Sequence, residues 1–283
     1  MPPSYRHSAR QLIGGVRAGG PRDRGDGSVQ GRPVTTNSSD MRRLTVGQVD
    51  VWLTAPDAID ADRLRGYETL MDAKERERWQ RFRVPKPRLI HLVARALLRT
   101  TLSRYANVEP AHWRFETNDY GRPHISAPEI DRDLRFNLSH TDGLVVLAIT
   151  EGCEIGIDVE SLDRRLNTAE IAPTVFEASE LSAFQIAPER QRRDLFFAFW
   201  TLKEAYIKAR GMGLSLPLDG FAFDISQAHP RITFNHRCPD DASRWQFRRF
   251  NATPELALAV AVEAPEAAVD IRLIRTVPNA GAV

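Results

Sequence analysis

The stretch Phe199-Trp200-Thr201-Leu202-Lys203-Glu204-Ala205-Tyr206-Ile207-Lys208-Ala209-Arg210-Gly211 constrains this chain more than any other. Leu195, Phe199, Leu202 and Tyr206 recur at steps of three and four, an apolar stripe down one side of a helix. Arg210 falls in the last turn, where a cation is favoured, and Gly211 and Gly213 end the helix. Glu204 and Lys208 are four apart and share a face. Taken alone they read as a helix-stabilising pair worth about 0.3 kcal/mol.

A second stretch gives that pair another meaning. Ile155-Gly156-Ile157-Asp158-Val159-Glu160 alternates as a strand, with Ile155, Ile157 and Val159 on one face and Asp158 and Glu160 on the other. Acids at i and i+2 repel. A solvent-facing strand edge tolerates them; a hard cation such as Mg²⁺ resolves the repulsion outright. With Glu204 as a third carboxylate, the pattern describes an open Mg²⁺ site, open to Mn²⁺ as a substitute, that a phosphate substrate completes.

Together with Phe136-Asn137-Leu138-Ser139-His140, these two segments resemble the 4′-phosphopantetheinyl transferases, in particular the larger, monomeric surfactin-synthetase-activating type. Tyr120-Gly121-Arg122-Pro123 and the run 211–218 extend the resemblance, which spans residues 46 to 265. It implies an α+β fold of two similar subdomains related by a pseudo-twofold axis. Each is a mostly antiparallel sheet packed with helices, and coenzyme A lies in the cleft between them. It implies transfer of 4′-phosphopantetheine from coenzyme A to a serine of an apo acyl or peptidyl carrier protein, with release of 3′,5′-ADP. Asp158, Glu160 and Glu204 would then hold the metal, Glu204 would take the serine proton, and Lys208 would offset charge on the pyrophosphate. Ser139 and His140 would clamp a coenzyme A phosphate, and Arg122 would be a basic contact to the same substrate. The basic segment 81–88 would grip the 3′-phosphate, although Pro85 and Ile90 stand where the family has basic residues. Lys86 and Arg88 are the replacements this sequence offers.

In chain order, residues 1–45 read as a dispensable extension. The first 40 hold seven Gly, four Pro and six Arg with few large apolar residues, and cannot build a core. Residues 46–150 and 151–265 read as the two subdomains, and 266–283 as a weakly ordered tail. A strand is expected at 48–53, a charged helix over 61–82, a basic loop over 81–88 and a second helix over 89–105. A hairpin is expected to join 144–150 to the Asp158 strand. Ser179 and Glu180 suggest a helix cap, and Phe184 and Ile186 a surface for the carrier.

Composition removes several classes. No apolar run reaches the length of a membrane span, and two cysteines build neither a disulfide framework nor a zinc site, so a reduced, cytoplasmic protein is expected. A net charge of +2 makes no general case for nucleic acid. Residues 74–104 do carry ten Lys or Arg against two Glu. A non-catalytic carrier- or RNA-binding module would use that charge but leave three acids idle. Another Mg²⁺-dependent phosphotransferase or phosphohydrolase would use the acids, and an assay of coenzyme A-to-carrier transfer separates it.

A chain beginning at Met41 should fold and turn over as the full chain does, because the preceding segment lacks any core-forming pattern. Thermal melting and kcat of the shortened chain test this; a large drop in either would show that the segment docks.

Overall fold

The computed structural model describes residues 41–264 and 268–279. The expected extension 1–40 lies outside them. Residues 41–45 belong to the fold: Leu44 is buried, and the Arg42 backbone N–H donates to Arg104 O at 2.7 Å.

Strand β1 (Gln48–Thr54) is buried almost throughout. The charged run after it forms two helices instead of one, α1 (Ala61–Leu70) and α2 (Ala73–Gln80). The break is a reciprocal cap. Asp72 accepts the Glu75 N–H at 2.9 Å, and the Glu75 carboxylate accepts the Asp72 N–H at 3.2 Å. Helix α3 (Pro85–Leu102) starts four residues before the expected 89, because proline at the first helical position loses no hydrogen bond and arrives with a helical φ. Lys86 and Arg88 therefore stand on a helix's first turn, and the loop is only 81–84.

Strands β2 (Arg114–Thr117) and β3 (Pro123–Ala127) form a small hairpin. Then come β4 (Leu134–Thr141), β5 (Leu144–Glu151) and β6 (Ile155–Ser161). Helices α4 (Thr168–Val175), α5 (Ala178–Ile186) and α6 (Glu189–Arg210) follow. The chain continues through the hairpin β7 (Phe221–Asp224) and β8 (Arg231–Phe234) to β9 (Trp245–Thr253), β10 (Leu256–Glu263) and β11 (Asp270–Arg275).

Two sheets form the centre, ordered β11-β1-β5-β4 and β6-β10-β9, and among the described residues only the β1–β11 pairing is parallel. The expected hairpin between β5 and β6 does not form. Both edges of β5 are taken, by β1 and β4, so β6 crosses to the second sheet and pairs with β10, Asp158 opposite Ala259. The sheets face each other through Val49, Val51, Ile157, Val159, Leu258 and Val260. Helix α3 covers the outer face of the first sheet, against Trp52, Val145 and Leu147; α6 covers the second, against Ala259 and Ala261. Each half is thus a helix on a mostly antiparallel sheet, as expected.

The expected loose tail is corrected by β11. β1 leaves a row of backbone donors and acceptors on its outer edge, and residues 270–275 pair with it over its length. Arg272 Nε donates to Asp50 Oδ1 at 2.7 Å, and Tyr67 Oη donates to Pro278 O at 2.7 Å. The end of the chain is therefore the edge strand of the first half, and a boundary at 150/151 does not divide the chain cleanly.

Asp50 is fully buried and also accepts from Tyr105 Oη and Arg42. Asp50→Ala strips the partner from two arginines and a buried hydroxyl. It should lower unfolding free energy by about 3 kcal/mol in denaturant titrations; a loss under about 1 kcal/mol would mean that the network is not load-sharing.

Candidate active site

Gly156 decides where the site forms. A Cβ on it would overlap the carbonyl oxygen of Ala205, so only glycine lets α6 lie this close to β6. The contact sets Glu204 and Lys208 of α6 beside Asp158 and Glu160 of β6. These strand acids point to the helix side while Ile155, Ile157 and Val159 point between the sheets. A cavity of about 460 Å³ opens there, lined by Ser139, His140, Asp158, Glu160, Arg164 and Glu204 among others.

At its floor the Lys208 ammonium donates to Asp158 Oδ1 at 2.6 Å, Ser139 Oγ at 3.0 Å and Ile157 O at 3.2 Å. Ser139 Oγ donates to Asp158 Oδ1 at 2.9 Å and accepts the Val159 N–H at 3.4 Å, while Asn137 Oδ1 accepts the Ile157 N–H at 3.1 Å. Side chains two apart on β4 thus stand in for a ladder and stitch the facing edges of the two sheets. Asn137 was not singled out from the sequence; its i, i+2 relation to Ser139 on a strand was the available signal. Two more residues were missed. Trp200 Nε1 donates to Glu160 Oε1 at 3.1 Å, and Arg164 Nη1 lies 3.3 Å from both Glu160 oxygens. Each stands four residues from a site acid, Trp200 before Glu204 and Arg164 after Glu160.

The charges are strongly coupled. Burial, then the negative charge of Asp158, pushes Glu204 up to about 8, against the opposing pull of Lys208. Burial and Asp158 likewise raise Glu160 to about 7, with Arg164 and Trp200 opposing. Burial disfavours the Lys208 cation, yet Asp158 and Glu204 hold its pKa above the ordinary lysine value. Surrounding protein and then the Lys208 charge lower the His140 imidazole. Asp158 Oδ2 is buried with no donor. Among the described residues no three His, Cys, Asp or Glu side chains close into a cage around a metal ion; the three acids share a cavity wall, with Lys208 paired to Asp158 and Arg164 to Glu160.

Six of the nine residues anticipated from sequence thus meet: Asp158, Glu160, Glu204, Lys208, Ser139 and His140. Lys86 reaches only the rim, through an ion pair of 3.2 Å with Asp142. The Arg88 guanidinium stacks on Trp79, 4.0 Å from its centroid. Arg122 lies elsewhere, on a second cavity of about 600 Å³ at the far end of β4. Phe184 is buried and cannot be surface, whereas Ile186 is 81% exposed. The cap on α5 is formed by Glu177 and Glu180.

Glu204 supplies a sign-definite pH effect. Above pH 4.5 the unfolded chain has released this proton, but the folded chain keeps it until about pH 8. The unfolded state therefore binds fewer protons, and stability falls as pH rises across that window. With chelator present, melting temperature should drop from neutral pH to pH 9, and Glu204→Gln should flatten the drop; parallel slopes for the two proteins would refute the burial of a neutral acid here.

The comparisons with known proteins agree with this geometry. The N-terminal family of 4′-phosphopantetheinyl transferases matches residues 61–152, and the 4′-phosphopantetheinyl transferase superfamily matches residues 154–261. A 4′-phosphopantetheinyl transferase of Bacillus subtilis is 32% identical over 69% of this chain and 84% of its own length. The transferase Sfp of B. subtilis strain 168 is 29% identical over 74% of this chain and 89% of its own, and HetI of Nostoc sp. is 31% identical over 61% and 72%. Among the described residues no helix is long and apolar enough to cross a membrane. The acids and the lysine at the α6–β6 contact sit within the matched segments, and the chain belongs to the 4′-phosphopantetheinyl transferase superfamily.

Proposed function

We propose that this chain moves 4′-phosphopantetheine from coenzyme A to a serine of an apo acyl or peptidyl carrier protein, with Asp158, Glu160 and Glu204 as ligands for Mg²⁺. The serine oxygen bonds to the β-phosphorus, the bridging P–O bond breaks, and 3′,5′-ADP leaves. The observation that carries this reading is the convergence of three buried acids and Ser139 on one cavity between the two halves, with the Lys208 ammonium held by Asp158 and Ser139 of its wall. The donor set suits a hard cation: all-oxygen ligands, a buried Asp158 Oδ2 without a donor, and two acids driven towards protonation by burial and by the Asp158 charge. Bound there, Mg²⁺ (or Mn²⁺ in its place) neutralises charge on the pyrophosphate.

The chain's own residues do the rest. Glu204, on the cavity wall beside Asp158 and Glu160, would accept the serine proton as a carboxylate, directly or through water. Lys208 is aimed by Asp158, Ser139 and the Ile157 carbonyl, and stabilises charge on the pyrophosphate as the bridging bond breaks. Ser139 and His140 face the phosphates of coenzyme A from β4, while Lys86 and Arg88 offer positive charge to its 3′-phosphate from the first turn of α3. Both halves of the site come from one chain, which supports action as a monomer.

Incubation with coenzyme A, Mg²⁺ and a panel of apo carriers, read by mass, tests the reaction. One carrier should gain one phosphopantetheine per serine. Coenzyme A cleavage that ignores the carrier would favour a phosphohydrolase instead.

Lys208→Arg tests the ammonium. Its three acceptors lie within 3.2 Å, and a guanidinium is too broad to keep all of them. The variant should lose at least about tenfold in kcat, roughly 1.4 kcal/mol, while Lys74→Arg stays silent. Near-wild-type kcat for both would remove Lys208 from the chemistry.

A further inference from the structure

The turn between β2 and β3 meets the end of α6, although the two elements belong to different halves. Asn118 organises the turn: its Oδ1 accepts the Tyr120 N–H at 3.0 Å and the Arg122 N–H at 2.9 Å. Gly121 supplies a φ of 88°, which other residues adopt only with strain. The fixed turn then reaches across. Asn118 Nδ2 donates to Gly211 O at 2.8 Å, and Arg122 Nη1 donates to Ala209 O at 2.7 Å. Carbonyls at a helix C-terminus have no partner within the helix, so these donors from the other half satisfy them. Arg122 Nη2 also donates to Ile155 O at 3.3 Å, at the start of β6. One guanidinium therefore spans the end of the helix bearing Glu204 and Lys208 and the start of the strand bearing Asp158 and Glu160. Gly211 keeps that path clear, since a Cβ on it would lie 2.8 Å from Arg122 Cδ.

The charge of Arg122 is already matched. It pairs with Glu154, and the cavity beside it holds further matched pairs, Arg135 with Asp133 and Arg244 with Glu263. A phosphate entering there would have to displace carboxylates from their arginines. We infer that Arg122, aided by Asn118, is a positioning residue that fixes α6 against β6 so that Lys208 meets Asp158 and Ser139, and that it is not a ligand of a coenzyme A phosphate. The inference rests on the proposed reading of the Lys208 site.

The steady-state split separates the two roles. Arg122→Met should lower kcat about tenfold while KM for coenzyme A stays within about twofold, since a misplacement of about 1 Å can cost 100-fold without touching substrate binding. The preference for coenzyme A over 3′-dephospho-coenzyme A should be unchanged. Asn118→Ala, which alters no charge, should show the same loss confined to kcat. Arg122→Lys should recover only part of kcat, because one ammonium cannot reach both carbonyls; a phosphate ligand would be largely rescued by it. Independently of activity, amides of residues 205–211 should exchange faster with deuterium in Arg122→Met. A raised KM with loss of the 3′-phosphate preference would overturn the proposal. So would unchanged kcat with only a lower melting temperature, or unchanged exchange at 205–211. Should the wild type transfer nothing to any carrier, the reading of the Lys208 site fails, and the exchange measurement still decides whether Arg122 holds α6.

Discussion

The close approach of α6 to β6 is the constraint on which the rest of the structure depends. It is made by small residues: Gly156 lies under Ala205, and Ala259 and Ala261 of β10 lie beneath the same helix. A larger side chain at any of these places would lift the helix and draw Lys208 away from Asp158. Burying that ion pair is costly in itself, because both charges leave water. It is tolerated because Ser139 and the Ile157 carbonyl give the ammonium further acceptors. The same closeness places three acids where their mutual repulsion is met by protonation or by an incoming cation.

That contact would not stay in register unless the two sheets were held together, and the seam between them is built with polar side chains. β4 and β6 both present an open edge towards the other sheet. Asn137 and Ser139 fill the gap by accepting N–H groups of β6, so a pair of residues serves as structural splice and as site wall together. On the other side of the first sheet β11 closes the edge of β1, and Arg275 Nη2 reaches Ala252 O in the second sheet at 3.0 Å. The candidate cleft is therefore framed both by local motifs and by β11.

The sequence made the site more legible than its supports. Asp158 and Glu160 could be read because a period of two assigns faces without knowledge of partners, and Glu204 and Lys208 because helical spacing does the same. The split of 61–82 into two helices was also readable, since Asp72 and Glu75 have capping-box spacing. The charged pattern stayed helical through the break and masked it. β11 was hidden for a different reason. Asp270-Ile271-Arg272-Leu273-Ile274-Arg275 alternates well, but its partner is more than 200 positions away and parallel, and no local rule names such a partner. Arg122 was read as a basic contact to coenzyme A because the resemblance carried by Tyr120-Gly121-Arg122-Pro123 implies one there. Its actual acceptors are backbone carbonyls, which carry no signature in a sequence.

The two lysines of α6 show what separates a cation locked into the core from one held beside a cavity. Five residues turn about 140° around a helix, so Lys203 and Lys208 face different surroundings. Lys203 has no exposed side chain, pairs with Glu180 at 2.7 Å and donates to the carbonyls of Leu218 and Phe221. Every proton of its ammonium is satisfied inside the core, and burial lowers its pKa. Lys208 is also bound on several sides, yet its side chain is 20% exposed and its neighbours Asp158 and Glu204 raise its pKa. Both lysines are tied to an acid. What distinguishes Lys208 is that its acid and its hydroxyl partner stand on the wall of a cavity large enough for a substrate. Around Lys203 every acceptor belongs to the closed core, whereas two of the acceptors of Lys208 face open space.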